Sequence, residues 1–439
     1  MRPPTRGWLA TAVAAVAVSA TVTACSSSSS SGSAPVGKDF GVGATGVVHF
    51  WARAATGKLA ELMASDFNAS HKHLKVVVTE LAETEAVTKI ATAMRAGSPP
   101  DLIGLNDIDM PLFAHSGEFM NLTKYVDALP YKNALSPGHL GLATYQGNYF
   151  GVPYLADLSG LWYNKTLFKR AGIASPPTDF AEILTDAKKI EALGGGVSGF
   201  SFAGDCTGCE AFTGLPMIWA SGPRLVNGSI PHQTADVAGN SALKAWLQLY
   251  HQIWADKLDP VSDQTDTGTT WGSQFLAGKV GMLPGGYGLI ADSLTAADRS
   301  QFGLVPLPGV NGGYSTFDGG DDFAIPVGAS NPSGSWEFVQ YVLSKSEQLK
   351  YPGVGYTPVR SDVLSAAYRK ANPLDAVMLK ALTRGYAPST LGYNSTFNEP
   401  SGPWFSMFLE AVYKGNISGA LSSGQSGFSQ LLSSSGSGS

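Results

Sequence analysis

Aromatic and charged side chains cluster at three places where the sequence pattern predicts the end of a β-strand. Trp51 and Arg53 follow the first predicted strand, Glu83 follows the second, and Asn106 and Asp107 follow the third. Such side chains can stack on apolar ligand surfaces or exchange hydrogen bonds with polar ones. Helix caps and solvated turns use the same residue types. Each position alone is therefore ambiguous, whereas the three clusters together favour a ligand site.

The elements around these clusters predict how the clusters come together. Strand-like segments at 47–51, 74–81 and 101–105 alternate with helical patterns at 56–68 and 83–96. A β-α-β-α-β order forms a parallel sheet with right-handed crossovers. Ligands of such sheets bind beyond the carboxyl ends of the strands. The clusters are therefore expected to meet at one edge of a sheet.

The pattern changes abruptly in residues 149–173, YFGVPYLADLSGLWYNKTLFKRAGI. A Gly-Val-Pro sequence leads into an apolar run, and Tyr-Asn-Lys then begins a basic helix. Pro153 cannot donate a hydrogen bond to a central strand ladder. This change predicts a hinge, at which the chain leaves one lobe and begins another.

The amino terminus predicts export. Arg2 and Arg6 precede an apolar stretch that is too short to span a membrane, so residues 1–24 are predicted to form a secretory signal peptide. Cys25 directly follows Val-Thr-Ala, which resembles a bacterial lipobox. We therefore expect Cys25 to carry a lipid anchor, the alternative being an ordinary signal peptide with an incidental cysteine.

The other two cysteines, Cys206 and Cys209, are separated by two residues. This spacing fits half of a zinc site, a redox motif or a local disulfide. No second ligand pair lies nearby, and outside the cell a disulfide is favoured. Residues 70–73, Ser-His-Lys-His, hint at metal binding, but the neighbouring lysines favour a solvated loop. No metal site is predicted.

Composition and motifs exclude several classes of protein. The 439-residue chain has a formal net charge of −5 and contains no basic run, which argues against a nucleic-acid partner. Its length suits two lobes, with a Ser/Gly-rich tether at 25–45 and a disordered tail at 431–439. The sequence contains no P-loop, Gly-x-Ser-x-Gly or His-Glu-x-x-His motif, so neither catalytic residues nor a cofactor are predicted.

Several segments, taken in order, resemble the extracellular solute-binding proteins of ATP-binding-cassette (ABC) importers, in the carbohydrate-binding, maltose-binding-protein-like group. The resemblance runs from about residue 46 to 420 and is carried by these segments: AGSPPDLI from Ala96, FAHSGEFMNLT from Phe113, FGVP from Phe150, LWYNKTLF from Leu161, FLAGKVGM from Phe275, GGY from Gly285, VPLP from Val305, AIP from Ala324 and WEFVQYVLS from Trp336.

The resemblance implies a two-lobe, α/β, periplasmic-binding-protein-like fold of class II. Each lobe is a mainly parallel sheet flanked by helices, and a hinge links the lobes. The implied boundaries are 46–155 and 303–354 for lobe 1, 156–302 and 355–430 for lobe 2, with the chain crossing near 154–159, 306–308 and 356–358.

The resemblance also implies a function. The protein would be an extracytoplasmic monomer, anchored to the membrane through Cys25, that captures a solute by hinge closure and delivers it to the transmembrane subunits of a permease. A sugar is favoured over a polyol, an organic phosphate or a polyamine. A secreted carbohydrate-active enzyme is the competitor from another class.

A sugar site needs aromatic faces for C–H patches and polar groups for hydroxyls. Trp162, Trp246, Trp254 and Trp336 lie in strand or helix patterns that predict core positions. The remaining candidates lie at element ends or match cleft positions of the family. The predicted ligand-binding residues are Trp51, Arg53, Asn106, Asp107, Asp157, Trp219, Trp271, Gly286, Tyr287, Asp321 and Trp404.

Overall fold

The computed structural model describes residues 40–83, 85–295 and 298–437, except for the side chains of 436 and 437. The predicted signal peptide, the lipidation site Cys25 and residues 25–39 of the predicted tether lie outside the described residues. Within the described ranges, no helix combines the length and apolar character needed to cross a membrane.

The strands form two main sheets, which share one long strand, and two separate hairpins. The strands are β1 Gly46–Arg53, β2 Leu74–Leu81, β3 Leu102–Asn106, β4 Thr144–Tyr145, β5 Asn148–Tyr149, β6 Val152–Asn164, β7 Ser198–Phe200, β8 Val226–Ser229, β9 His232–Ala235, β10 Val280–Gly286, β11 Phe302–Pro308, β12 Tyr314–Ser315 and β13 Asp318–Ala324. The shared strand is β6, and the hairpins are β4–β5 and β8–β9.

Helices cover the sheets and form the carboxyl-terminal end of the described chain. They are α1 Ala54–Ser70, α2 Ala86–Arg95, α3 Met110–Ser116, α4 Thr123–Asp127, α5 Pro137–Leu142, α6 Lys165–Arg170, α7 Phe180–Glu191, α8 Thr207–Trp219, α9 Ser241–Ala255, α10 Ser273–Leu276, α11 Tyr287–Ala291, α12 Pro332–Val342, α13 Lys345–Gln348, α14 Ala366–Ala371, α15 Pro373–Ala381, α16 Pro403–Lys414 and α17 Ile417–Ser437.

Strand β6 belongs to two sheets. Residues 152–158 pair with β13, whereas residues 159–164 pair with β10 on one side and β11 on the other. We name the side with β1, β2, β3 and β13 lobe 1, and the side with β7, β10, β11 and β12 lobe 2. The change of pattern in 149–173 is therefore one long strand that passes from lobe 1 to lobe 2.

The two sheets differ in direction. Strands β2, β1 and β3 are parallel, as the alternation of elements predicts, and β13 joins them antiparallel. In lobe 2 only β7 and β10 are parallel, while β6, β11 and β12 pair antiparallel. The prediction of a mainly parallel sheet is therefore confirmed for β1–β3 of lobe 1, whereas the sheet of lobe 2 is mixed.

The return crossing lies later than predicted. Pro306 pairs with Gly160 and Leu307 pairs with Ser315, so residues 306–308 are part of the lobe 2 sheet. The pairing with lobe 1 begins only at Asp318. The physical reason is that β11 continues the ladder of β6, and the chain can leave that ladder only after the β12 hairpin. Residues 356–358 lie beside the hinge, where Thr357 pairs with Ala156.

The final helix corrects the prediction of a disordered tail. Helix α17 runs to Ser437, and Phe428 and Leu432 are buried in the core of lobe 2. These apolar side chains hold a Ser/Gly-rich segment in helical form, because packing outweighs low propensity. The tail prediction is wrong for residues 431–437, and residues 438–439 lie outside the described part.

The predicted core tryptophans are mostly buried. Trp162 and Trp246 have no exposed surface and Trp336 is 2 % exposed. Trp254 is only partly buried and packs edge-on against Tyr413. The helical and strand patterns therefore predict burial correctly for three of these four side chains.

Candidate functional site

A cavity of about 990 Å³ lies between the two lobes, at the carboxyl ends of β1 and β3. Its lining includes five of the residues expected to bind a ligand. These are Arg53 and Asn106 at strand ends of lobe 1, Asp157 in β6, and Trp271 and Gly286 in lobe 2. The parallel strands bring the lobe 1 residues together because their carboxyl ends share one edge of the sheet.

Arg53 is held by two carboxylates. Its Nε and one terminal nitrogen donate to Asp321 Oδ1 at 3.1 and 2.5 Å, and its other terminal nitrogen donates to Glu83 at 2.6 Å. Burial would lower the pKa of Arg53, but the carboxylates of Asp321 and Glu83 together outweigh burial and the net shift is upward. The guanidinium therefore stays protonated, and both of its terminal nitrogens are already paired with carboxylates.

Asp321 itself does not line the cavity. Its side chain has no exposed surface, and its Oδ2 accepts hydrogen bonds from Thr56 at 2.9 Å and Tyr154 at 3.0 Å. The expectation that Asp321 contacts a ligand is therefore wrong. Its two oxygens are occupied by β1, α1 and β6, so this carboxylate positions Arg53.

Asp157 is in the opposite situation. It lies in β6 where the strand passes between the lobes, and its buried Oδ1 has no hydrogen-bond partner. Burial raises the pKa of Asp157 to about 6, while Arg53 acts in the opposite direction. An unpartnered acceptor at the wall of a cavity is costly unless a ligand or water supplies a donor. Asp157 can therefore accept a hydrogen bond from a bound molecule.

Aromatic rings form much of the remaining wall. Trp271, Phe212, Phe317, Tyr356 and Tyr393 line the cavity. The ring centroids of Phe212 and Phe317 lie 5.3 Å apart, and the ring planes are inclined at 49° to each other. The indole nitrogen of Trp271 is buried without a hydrogen-bond partner. These faces can cover apolar C–H surfaces of a ligand.

Glycine backbone closes the wall between the aromatic and acidic groups. A Cβ on Gly286 would lie 3.3 Å from Asp157 Oδ1 and 3.3 Å from the Phe212 ring. Gly320 has φ +151° and a Cβ there would lie 2.2 Å from the Leu155 carbonyl oxygen. A side chain at either position would disturb the wall, most severely at Gly320.

Cys206 and Cys209 form a disulfide in the structure, and both line the cavity. Cys206 precedes α8 and Cys209 lies in its first turn. The pairing agrees with the interpretation of the Cys-x-x-Cys spacing as a local bridge. Within the described residues, no group of three or more His, Cys, Asp or Glu side chains could hold a metal ion.

Two predicted aromatic contacts belong to the core. Trp404 has no exposed surface and stacks on Trp246, with the ring centroids 5.3 Å apart and an angle of 20° between the ring planes. Tyr287 is 2 % exposed and stacks on Trp162, with the ring centroids 6.3 Å apart and an angle of 22° between the ring planes. The expectation that they line the cavity is wrong, because both helices turn these rings towards neighbouring core aromatics.

Three further candidates lie outside the lining. Trp219 is 9 % exposed at the end of α8 and donates to Ser315 Oγ at 2.7 Å. Trp51 is partly buried and packs against the smaller core cluster of lobe 1. Asp107 has no exposed surface, and its Oδ2 lies 3.5 Å from His139 Nε2. Trp51 shares a face of β1 with Arg53, but it lies two residues before the strand end and packs against the core, whereas Arg53 and Asn106 at the strand ends line the cavity.

A buried ionic cluster lies behind the glycine wall. His139 contacts Asp318 at 2.8 Å through Nδ1, and its Nε2 lies 2.9 Å from the carbonyl oxygen of Gly319. Burial would lower the pKa of His139, but the neighbouring carboxylates of Asp318 and Asp107 raise the pKa to about 10. Burial also raises the pKa of Asp322 to about 8. The cluster supports the wall from within the protein.

One hydrogen bond connects the lobes across the cavity, and a second one connects the hinge segment to lobe 1. Asn394 Nδ2 donates to Asp109 Oδ1 at 2.7 Å, and the Tyr356 hydroxyl donates to the Ala55 carbonyl oxygen at 2.8 Å. Asn394 begins a short π-helical turn that ends at the cavity-lining Asn398. Such turns are rare and are often found at functional sites.

Sequence reasoning missed four of the aromatic residues. Phe212 could have been found from the helix period, since it follows Cys209 by three residues and so shares its face. Tyr356 is the first residue of a predicted crossing. Phe317 and Tyr393 carry no distinct sequence signal, because both reach the cavity through long-range pairing and packing.

Comparison with known proteins gives a consistent result. The family model described as bacterial extracellular solute-binding protein matches residues 63–375. Among sequence relatives, the sn-glycerol-3-phosphate-binding periplasmic protein UgpB of Brucella melitensis is 24 % identical over 348 residues, covering 74 % of this chain and 76 % of the relative.

Solved structures share the fold. The sugar-binding protein MalE from Xanthomonas citri matches with a TM-score of 0.78 and 20 % identity, covering 89 % of this chain and 98 % of that one. The GacH receptor of Streptomyces glaucescens, solved unliganded and with acarbose, matches with a TM-score of 0.75 and 22 % identity, covering 89 % and 99 %. The two-lobe α/β fold expected from the sequence is thereby confirmed.

Proposed function

This chain belongs to the bacterial extracellular solute-binding proteins, and we propose that the solute it captures is a sugar. As a solute-binding protein of an ABC importer, it binds a small molecule and presents it to a permease. The sequence relative UgpB binds a glycerol phosphate, whereas the structural neighbours MalE and GacH bind a sugar and acarbose. The chemistry of the cavity supports a sugar rather than a phosphate.

The charge arrangement of the cavity carries the proposal. Among the lining residues that the structure describes, Arg53 is the one cation, and Asp321 and Glu83 already neutralise it. Asp157 adds an unpartnered carboxylate. A phosphate would meet no free cation and would face this acidic group. A neutral polyhydroxy ligand can instead donate a hydroxyl to Asp157.

The aromatic wall favours a sugar over a simple polyol. Rings of Trp271, Tyr356 and Phe212 offer flat surfaces that match the C–H patches of a pyranose. Ligand cavities span about 300–1,000 Å³, and this one lies at the upper end of that range. An oligosaccharide is therefore favoured over a monosaccharide.

Capture would follow from closure of the lobes. A sugar held by Arg53, Asn106 and Asp157 gains contacts with Trp271 only when the lobes approach each other. The ligand shifts the open–closed equilibrium by its difference in affinity for the two states. The hydrogen bond between Asn394 and Asp109 across the cavity would add to the closed state.

The remaining parts of the proposal concern the whole protein. Cys25 would carry a lipid that anchors a monomer to the outer face of the membrane, with residues 25–45 as the tether. Lobe 1 would comprise 46–155 and 316–354, and lobe 2 would comprise 156–315 and 355–437. A return crossing at 316–317 is supported by the β11–β12 pairing, which ends at Ser315, and by the β13–β6 pairing, which begins at Asp318. A carbohydrate-active enzyme remains the alternative, and the family assignment argues against it.

A thermal-shift screen tests the proposal. The purified protein carrying Cys25→Ser, which prevents acylation, is heated with maltose, mannobiose, other mono- and oligosaccharides, glycerol, spermidine and sn-glycerol 3-phosphate. A sugar at 100 times its Kd stabilises by about 2.7 kcal/mol, which raises the Tm by roughly 3 °C in a chain of this length. A shift with one sugar class and none with sn-glycerol 3-phosphate is expected.

The opposite result overturns the sugar proposal. A shift with sn-glycerol 3-phosphate alone would mean that Arg53 releases Glu83 to bind a phosphate. Chromatography of each sugar after overnight incubation with the protein tests the enzyme alternative. Sustained hydrolysis of a sugar would contradict a purely binding role.

A further inference from the structure

A disulfide borders the proposed solute cavity at a place where it contributes little to global stability. The bridge joins Cys206 and Cys209, only three residues apart. A disulfide stabilises a fold mainly by constraining the unfolded chain, and the effect shrinks as the enclosed loop becomes shorter. Another role must be sought in what the two sulfur atoms touch.

The sulfur atoms support a neighbouring loop of the cavity wall, residues 266–272, which we call the cavity loop. A Cβ on Gly268 would lie 3.0 Å from Cys206 Sγ and 3.2 Å from Cys209 Sγ. Gly268 also has φ +93°, which a side chain rarely adopts. The loop backbone therefore rests directly on the disulfide, and only glycine fits there.

The cavity loop carries part of the solute site. Thr267, Gly268, Thr269 and Trp271 all line the cavity. Asp266 Oδ1 accepts from the backbone nitrogens of Gly268 at 3.0 Å and Thr270 at 3.2 Å, which fixes the bend before Trp271. The Trp271 ring also packs against the core, so its position depends both on that packing and on the path of the loop that leads to it.

Main-chain hydrogen bonds connect the same two segments beside the bridge. Asp205 N donates to the Asp266 carbonyl oxygen at 3.0 Å, and Gly204 N donates to that of Asp263 at 2.8 Å. These bonds hold only the beginning of the loop. Beyond Asp266, the disulfide is the contact on which Gly268 rests.

We propose that the Cys206–Cys209 disulfide is a positioning element for solute binding, which fixes the cavity loop so that Trp271 and the two threonines face the ligand. The inference rests on the proposed function, because it takes the cavity as the solute site. It extends that function by assigning part of the affinity to a bridge that touches the site only through its loop and its sulfur atoms.

Hydrogen exchange tests the proposal without any ligand. The protein carrying Cys25→Ser has no cysteine outside the pair, and Cys206→Ala with Cys209→Ala then removes both sulfur atoms. Amides of 266–272 should exchange at least tenfold faster than in the parent protein, while amides of β10, residues 280–286, stay unchanged. Gly268→Ala, which forces the loop off the intact bridge, should give the same local result.

Thr207→Ala is the matched control for exchange. Thr207 lies in the same first turn of α8, but its hydroxyl donates to the Asn398 carbonyl oxygen at 2.6 Å rather than supporting the loop. Its cavity loop should exchange as in the parent protein. Unchanged exchange of 266–272 in the double-alanine variant, or faster exchange spread through β10, would overturn the proposal.

Affinity provides the second readout, with maltose and mannobiose as the probes. The double-alanine variant should bind whichever probe the parent binds at least fivefold more weakly, and unchanged affinity would overturn a role in binding. If the parent binds neither probe nor any other sugar, the proposed function fails, and the exchange result still decides whether the disulfide positions the loop.

Discussion

Two aspartates near Arg53 have opposite roles because their hydrogen-bond partners differ. Asp321 accepts bonds from Arg53, Thr56 and Tyr154 and is sealed in the protein. Asp157 keeps an oxygen atom without a partner at the cavity wall. A carboxylate whose bonds are all made within the protein supports structure, whereas an unsatisfied one can be satisfied by a ligand.

Replacement of Asp157 by alanine should weaken sugar binding without destabilising the unliganded protein. A hydrogen bond to a charged group contributes about 1.5–3 kcal/mol, so the Kd should rise roughly 10- to 100-fold. Loss of an unpartnered buried carboxylate should leave the Tm unchanged or slightly higher. Titration calorimetry and thermal unfolding measure both quantities, and unchanged affinity would remove Asp157 from the site.

Sugar affinity should also fall in mild acid. Burial raises the pKa of Asp157 to about 6, and a hydroxyl donor would lower this pKa in the complex. The ionised form then binds better, so affinity is full only well above pH 6, is about half of its full value at pH 6, and is lower by up to about tenfold at pH 5.

Other charged groups near Asp157 must be separated from this effect. Arg53, Asp321, Asp292 and Tyr356 interact with Asp157. Asp109, whose pKa burial raises to about 6, titrates in the same range. Kd measured from pH 5 to 8 for the parent and for Asp157→Asn distinguishes them. An identical pH profile in both proteins would assign the effect to another group.

Two tryptophans should respond in opposite ways to alanine substitution. Trp271 lines the cavity, so its loss should raise the Kd several-fold with a small change in Tm. Trp404 is fully buried against Trp246, and its loss should cost about 3–5 kcal/mol of stability. Circular dichroism melting and titration of both variants give the comparison, and the reverse pattern would exchange their roles.

At the scale of elements, β6 explains the change of sequence pattern in residues 149–173. Its first half is buried by lobe 1 and its second half by lobe 2, which requires a continuous apolar strand. Pro153 is accommodated at a bulge, where the register of β13 shifts between Asp321 and Asp322. The hinge was therefore predictable, whereas the later return crossing depends on pairing between β11 and β6 that no local pattern reveals.

Asp321 connects three elements and should be essential for stability. It lies in β13 and bonds to Arg53 at the end of β1, Thr56 in α1 and Tyr154 in β6. Asp321→Ala leaves a buried guanidinium without its main partner, at a cost of about 3–5 kcal/mol. Thermal unfolding should show a Tm several degrees lower, with Asp157→Ala as the matched substitution that causes no fall. Equal Tm values would contradict the structural role.

At the scale of the whole molecule, sequence predicted the location of the site better than its contents. The carboxyl edge of β1 and β3 follows from the order of elements, and Arg53 and Asn106 are found there. The choice among tryptophans failed because neighbouring Gly and Pro residues at element ends do not reveal which way a ring points. Trp404 and Tyr287 face core aromatics that are distant in sequence, and only the packed lobes determine that orientation.

The hydrogen bond between Asn394 and Asp109 should favour the closed arrangement of the lobes. Asn394 packs with lobe 2 elements and Asp109 follows β3 of lobe 1, so the bond exists only when the lobes approach each other. Asn394→Ala removes about 0.5–1.5 kcal/mol from that state and should weaken sugar binding roughly 2- to 12-fold. It should also enlarge the radius of gyration of the unliganded protein, measured by small-angle X-ray scattering, while a saturating sugar restores the parental value.

Asn227→Ala, in the exposed β8 strand of lobe 2, is the control and should change neither quantity. If Asn394→Ala leaves both the Kd and the radius of gyration at parental values, this hydrogen bond plays no part in closure, and the contacts of the ligand itself must supply the energy that brings the lobes together.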